Sequence, residues 1–169
     1  MLLNGLQDRV ALHRVALGDA DGEIAFTVGR DTTNHVLAAT ESAEDSETVP
    51  VRRFDQYFDS SRPGFLKIDV EGFEAPVLAG ASAALQSPAL FGMLVEDNGG
   101  AQRYGRTDSI SALMLAHGFT PCSYEPRRRE LLPHNGGQGT GNVLFLRDPG
   151  MARARIAAAG QFRLVNGWI

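Results

Sequence analysis

The segment from residue 64 to residue 96 constrains the fold of this 169-residue chain more than any other part of it. It holds an apolar run "FLKIDV" (65–70), apolar residues at helical spacing (76–86) and a second apolar run "ALFGMLVE" (89–96). Short apolar runs are typical of buried strands, and the pattern between them predicts an amphipathic helix that begins near Pro76. Strand, helix and strand in this order predict an α/β sheet.

The remaining patterns extend this unit into a larger sheet. Apolar runs predict further strands at 12–17, 23–28, 119–125 and 142–147, a short strand with a helical turn at 49–58, and helices at 109–117 and 150–159. Asp108 is the expected N-cap of the first of these helices and Gly118 its C-cap. The order predicts a mostly parallel sheet with a C-terminal antiparallel hairpin, and ligands at the carboxyl ends of its strands.

Composition excludes several classes of protein. With 20 acidic and 16 basic residues, the formal charge of −4 gives no electrostatic basis for binding a nucleic-acid backbone. The lone Cys122 can form no internal disulfide, and no apolar run approaches the roughly 18 residues of a membrane span. We therefore expect one soluble cytoplasmic domain with neither nucleic acid nor membrane as partner.

One glycine-containing segment raises the possibility of nucleotide binding. The stretch "GAQRYGRT" (100–107) follows a predicted strand and precedes a helix, as a phosphate-binding loop does, but it carries Arg106 where lysine is required. The arginine guanidinium is a wide planar group, whereas the lysine of a phosphate loop reaches between phosphates as a point charge. Glu96 and Asp97 upstream would also repel phosphates. The pattern favours an ordinary loop and leaves a phosphate-loop nucleotide binder as an alternative.

The acids of "KIDVEGFE" (67–74) are the strongest candidates for chemistry. On a strand, Lys67, Asp69 and Glu71 share one face, and Glu74 follows at the start of the predicted helix. Close carboxylates raise one another's pKa toward the value that a general base needs. Ion pairing of Lys67 with Asp69 or Glu71, and attraction of Glu74 to the helix dipole, explain the pattern equally well. The residues alone leave both interpretations open.

A family resemblance adds to this interpretation. The order of "LHRVALGDADGEIAF", "VPVRRFDQYF", "GFLKIDVEGFEAPVLAGA" and "LVE" resembles the FkbM-type methyltransferases, over most of the chain to about residue 147. The most specific part is "KIDVEGFEAPVLAGA". The resemblance implies a Rossmann-like class I methyltransferase fold that uses S-adenosylmethionine. It also implies an acceptor hydroxyl on a sugar or on a small natural product such as a polyketide.

The resemblance also assigns roles to particular acids. By position, Asp19 ends the third strand of that fold, where an acidic side chain meets the adenine amino group. Asp69 would lie beside the methyl donor, Glu71 and Glu74 on the acceptor side, and Glu96 near the acceptor at the end of the fifth strand. Asp69, Glu71 and Glu74 are thus the expected catalytic residues, Asp19 and Asp69 the cofactor-binding residues, and no metal is expected.

One part of the family pattern has no counterpart here. The family's first strand, its Gly-rich turn and the acid that ends its second strand should precede "LLNGLQDRV" (2–10). We therefore expect an N-terminally truncated methyltransferase domain at 1–148, with 149–169 as its C-terminal helix and tail. In the family's strand order the strand at 65–70 would then bare an edge, which invites pairing with another copy. A non-catalytic module that pairs through this edge is the second alternative.

Overall fold

The computed structural model describes residues 4–29, 31–97, 104, 109–134, 141–161, 163–164 and 167–168. These residues form a mixed α/β fold. Its strands are β1 Ala16–Leu17, β2 Gly22–Thr27, β3 Ser46–Arg52, β4 Gly64–Ile68, β5 Leu90–Asp97, β6 Thr120–Glu125, β7 Glu130–Pro133, β8 Gly141–Leu146, β9 Arg163–Leu164 and β10 Gly167–Trp168. Its helices are α1 Glu74–Ala79, α2 Ser82–Gln86, α3 Ile110–Ala116 and α4 Pro149–Ala158.

The strands of the described residues form two mixed sheets and a small hairpin. The larger sheet has the order β4-β5-β8-β6-β7, the smaller has the order β1-β3-β2, and β9 pairs with β10. In the larger sheet β4 and β5 are parallel, whereas β5–β8, β8–β6 and β6–β7 are antiparallel. The predicted mostly parallel sheet is therefore not confirmed, because β8 returns between β5 and β6. The predicted antiparallel pairing of β6 with β8 is confirmed.

The predicted helix at 76–86 is wrong in one respect, because it is two helices. Gly80 and Ala81 separate α1 from α2. A Cβ atom on Gly80 would lie 1.9 Å from the carbonyl oxygen of Gly18, so the end of β1 packs directly on the end of α1. Only glycine permits this approach, and the contact joins the smaller sheet to the helices of the larger one.

An acidic side chain from outside the helix caps α2. The 3₁₀ turn at Phe54–Gln56 places Asp55 so that its two carboxylate oxygens accept the backbone N–H groups of Ala83 and Ala84, both at 3.0 Å. These N–H groups have no partner within the helix, so a tertiary contact supplies the cap. At α3 the N-cap is Ser109 rather than the predicted Asp108, since the Ser109 Oγ accepts the N–H of Ala112 at 3.2 Å.

The main core lies on one face of the larger sheet, under α1, α2 and α3. Its fully buried side chains from the sheet are those of Ile68, Met93, Val95, Val143 and Phe145, and those from the helices include Val77, Leu78, Leu85 and Met114. Burying an aliphatic or aromatic side chain of this size contributes about 1.5–3 kcal/mol. The opposite face is covered in part by α4, where Ala152 and Ile156 pack against Leu146 and Leu144.

Arg147, directly after β8, connects several elements of this core near the start of β5. Its guanidinium lies 4.2 Å from the centre of the Phe119 ring and donates hydrogen bonds of 2.8–3.2 Å to four backbone carbonyls. The acceptors are the carbonyls of Leu85, Ser87, Leu90 and His117. One side chain thus connects the end of α2, the start of β5 and the end of α3.

No helix in the described part of the chain is long and apolar enough to cross a membrane. Cys122 is a free, buried thiol in β6.

Candidate active site

The turn that follows β4 has an unusual backbone. Glu71 has a φ of 52° and Gly72 a φ of 99°, so two consecutive residues lie in the left-handed region. A side chain other than glycine, asparagine or aspartate rarely adopts this conformation, and it costs roughly 1–3 kcal/mol. Asp31 and Arg129 have a similar φ, so this conformation by itself marks a tight turn, and the side chains around it decide whether the turn is a site.

Three carboxylates meet at this turn. Asp69 and Glu71 follow β4, and Glu96 lies near the end of β5, which is the parallel neighbour of β4. One carboxylate oxygen of each residue lies within 4.8 Å of the others. We call Asp69, Glu71 and Glu96 the acidic cluster. Parallel strands bring their carboxyl ends to the same edge, and this explains why residues 25 or more positions apart in the printed sequence converge.

Lys67 sits beside the acidic cluster. Its ammonium group forms an ion pair with Asp69, and both side chains are about half exposed, at 52% and 45%. The ion pairing of Lys67 with Asp69 that the sequence offered as one interpretation is therefore confirmed. It does not exclude chemistry at the site, because Glu71 and Glu96 are less exposed and lie beyond this pair.

The crowding separates the acidities of two of these carboxyls. A hydrogen bond that protonated Glu96 donates to the Asp69 carboxylate raises the pKa of Glu96 to about 7, and burial and the negative charges of Asp69 and Glu71 add to the effect. Hydrogen bonds from Glu96 and Lys67 lower the pKa of Asp69. Below about pH 7 the Glu96 carboxyl therefore keeps its proton and donates it in a hydrogen bond to the Asp69 carboxylate.

This arrangement suits proton transfer near neutral pH. A general base works best when its pKa is close to the working pH, and Glu96 meets that condition. Three carboxylates are also hard oxygen ligands of the kind that Mg²⁺ and Ca²⁺ bind. The expectation that no metal is bound stays a prediction.

The structure places Glu74 differently from the other predicted acids. Its side chain is buried, with 3% exposure, and a carboxylate oxygen accepts the backbone N–H of Gly72 at 3.0 Å. This bond closes the strained turn at the start of α1, a structural role that the sequence analysis did not consider. Glu74 is outside the acidic cluster of the described residues, and its catalytic role stays a prediction.

Asp19 is exposed and is the second residue after β1. Its neighbour Gly18 lies against the ring of Phe73, which is 3.7 Å from the position that a Cβ on Gly18 would take. Phe73 belongs to "KIDVEGFE", so the end of β1 approaches the same turn as the acidic cluster. The assignment of Asp19 to the adenine of a cofactor stays a prediction.

An aromatic pair near this turn was missed by the sequence analysis. The rings of Phe73 and Tyr104 meet edge to face with centres 5.4 Å apart, and the Tyr104 hydroxyl donates to the Val36 carbonyl at 2.7 Å. Nothing in the sequence pattern links positions so far apart. Of the segment 100–107, which could have formed a phosphate loop, only Tyr104 is among the described residues, so that alternative is untested.

Comparison with known protein families identifies the family of this chain. Residues 3–121 match the family model described as the methyltransferase FkbM domain. This span covers more than half of the chain and includes every acid discussed above. No curated protein and no solved structure matches the chain.

Proposed function

Because the chain belongs to the FkbM methyltransferase family, we propose that its acidic cluster removes the proton from an acceptor hydroxyl during transfer of a methyl group from S-adenosylmethionine. The observation that carries the proposal is the convergence of Asp69, Glu71 and Glu96 at the carboxyl ends of β4 and β5, where one carboxylate oxygen of each lies within 4.8 Å of the others. Ligands of α/β folds bind at this end of the strands.

The residues of the acidic cluster have different roles in this proposal. When bound, S-adenosylmethionine supplies a methyl group already activated by its sulfonium, so the protein has to align the acceptor oxygen and take up its proton. Glu96 in its ionised form accepts that proton, since its pKa of about 7 leaves it partly ionised at neutral pH. Lys67 keeps Asp69 ionised, and the Asp69 carboxylate then accepts a hydrogen bond from protonated Glu96.

The chemistry of the acids fits the proposed donor. Asp69 is anionic and about half exposed. It can therefore attract a positively charged sulfonium without the free-energy cost of burying its own charge. Asp19 is an exposed carboxylate that can accept a hydrogen bond from the amino group of adenine. We assign Asp19 and Asp69 to the donor, and Glu96 with Glu71 to the acceptor hydroxyl.

Methyl transfer with a labelled donor tests the proposal. We would assay the wild-type chain between pH 5 and 9 with a panel of alcohols, beside Glu96→Gln and the control Glu47→Gln. Glu47 is a surface carboxylate in an ion pair with Arg14. We expect the rate to rise with an apparent pKa near 7 and Glu96→Gln to lower it by about 10²–10⁴-fold, as loss of a general base does.

Two results would contradict this function. One is a Glu96→Gln rate within about threefold of wild type, because a general base contributes far more. The other is the absence of donor binding in calorimetry, since then no methyl group is presented to the cluster.

A second function is favoured by one observation. In the described part of the chain, β4 lies at the edge of its sheet and pairs only with β5. An open strand edge is a template for another strand, so we propose as the alternative a non-catalytic module in which two copies pair through β4. Light scattering over a dilution series tests it: this alternative requires a dimer without donor affinity, and a monomer at all concentrations excludes it.

A further inference from the structure

A groove of about 730 Å³ lies on the face of the larger sheet opposite α1, α2 and α3. Side chains from all five strands of the larger sheet and from α4 line it, chiefly Phe65, Leu94, Leu144, Leu146, Cys122 and Ile156. Small-molecule sites usually enclose about 300–1,000 Å³ and are mostly apolar with a few polar groups. We call this feature the apolar groove.

The floor of the apolar groove is continuous because one strand position lacks a side chain. Gly92 of β5 pairs with Phe65 of β4 on one side and with Leu146 of β8 on the other. A Cβ on Gly92 would lie 2.9 Å from the Leu146 side chain and 3.0 Å from the Phe65 ring. The two apolar side chains therefore lie over the glycine, and any other residue there would push them apart.

One end of the apolar groove adjoins the acidic cluster. Glu96 pairs with Asn142, and Leu94 pairs with Leu144, in the β5–β8 ladder. Alternate residues of a strand share a face, so Glu96 and Leu94 point to the same side of the sheet. Asn142 and Leu94 both line the groove, and directly opposed residues have Cα atoms only about 4.5–5.5 Å apart. Glu96 is thus the next polar position beyond the groove.

We propose that the apolar groove binds the body of the methyl acceptor, which is then an amphipathic alcohol whose hydroxyl lies at Glu96. This inference rests on the proposed function and narrows its substrate. An unsubstituted sugar carries hydroxyls around its whole ring and would bury several against apolar side chains without hydrogen bonds, which is unfavourable. An alcohol with one hydroxyl at the end of an apolar ring or chain satisfies both parts of the site.

A matched series of alcohols tests the proposal without any donor. The probes are myo-inositol, cyclohexanol and 4-cyclohexylcyclohexanol, which share a six-membered ring but differ in hydroxyl count and apolar length. We would titrate each into the full chain and follow the methyl resonances of its leucines by NMR. The bicyclic alcohol should bind at least about tenfold more tightly than cyclohexanol, because the second ring buries further apolar area. Myo-inositol should not bind measurably.

Variants locate the binding. Leu144→Gln should weaken binding of the bicyclic alcohol about tenfold, whereas the control Leu115→Gln, at an exposed leucine of α3, should leave it unchanged. Urea titration checks that each variant folds. If Leu144→Gln does not fold, Ile156→Gln on α4 replaces it, since that residue lines the groove from a helix and not from the sheet.

The possible outcomes separate this proposal from the function on which it rests. Binding of the bicyclic alcohol at Leu94 and Leu144 without methyl transfer onto it supports the groove and removes the proposed function. Methyl transfer onto myo-inositol, with equal affinity for all three probes, supports the function and overturns the groove. Resonance shifts outside the groove, or a dimer whose second copy shields these leucines, also overturn it.

Discussion

Replacement of Arg147 is the sharpest test of how the core is held together. Four carbonyls from α2, β5 and α3 accept hydrogen bonds from this one guanidinium. Arg147→Met keeps most of the aliphatic stem and the contact with Phe119, but it leaves all four carbonyls without this donor. Arg147→Lys keeps the charge and can reach only one or two of them, because an ammonium lacks the planar fork.

The expected magnitude follows from the hydrogen bonds. A hydrogen bond to a charged donor contributes about 1.5–3 kcal/mol. Arg147 is only half-buried, so in the variant water can reach some of the carbonyl oxygens that lose their donor. Counting two of the four bonds as fully lost, the free energy of unfolding should fall by about 3–6 kcal/mol in Arg147→Met and by about half as much in Arg147→Lys. A domain is stable by only about 5–15 kcal/mol, so the first variant should be close to unfolding.

Urea denaturation followed by circular dichroism measures this effect. With a slope of about 1–3 kcal/mol per molar urea, the midpoint of Arg147→Met should fall by about 2 M. Arg62→Met is the control, since that arginine is 82% exposed in a surface ion pair and should change stability by less than about 0.5 kcal/mol. A loss below about 1 kcal/mol in Arg147→Met would refute the role of this side chain as a tie between elements.

Three further predictions follow from the site and the fold. Because the pKa of Glu96 is raised in the folded state, the fold loses stability as pH rises from about 4.5 through about 7. The free energy of unfolding of Glu96→Gln should therefore exceed that of wild type by about 1–2 kcal/mol at pH 8 but not at pH 4. Urea midpoints at both pH values measure this difference. Asp55→Ala should cost about 1–2 kcal/mol through loss of the α2 cap, measured by thermal unfolding at neutral pH. Gly80→Ala should cost at least about 3 kcal/mol of stability, because its Cβ would overlap the Gly18 carbonyl. The control Gly22→Ala places its Cβ in open space and should cost less than about 1 kcal/mol. Soluble yield and urea midpoints measure both variants.

Local patterns predicted much of the fold, because they depend on neighbouring residues. β4, β5, α3 and α4 lie within one or two residues of their expected positions. The order of strands in the larger sheet did not follow, since it depends on pairing between segments 20 to 50 residues apart in the printed sequence. The break between α1 and α2 also escaped prediction, because Gly80 meets Gly18, which lies on another element.

The site shows the same division. Asp69 and Glu71 lie together because they are two positions apart, although both follow β4 rather than lying on it. Glu96 is assigned to the acceptor side by the family resemblance, and its carboxylate meets theirs from the neighbouring parallel strand. The place of Glu74 depends on the left-handed backbone of Gly72, which brings its N–H to the carboxylate, and no spacing rule predicts that bond. Arg147 gave no signal at all, because its partners are backbone carbonyls and an arginine after a strand looks like a surface residue.

The position of β8 sets the order in which the protein can be assembled. β5 and β6 are synthesised first, yet β8 lies between them, so neither can complete its ladder until residues 141–146 have emerged from the ribosome. At about 5–20 residues per second, the edges of both strands stay open for seconds during translation. Arg147, the residue that follows β8, then closes the core as this last strand of the larger sheet arrives.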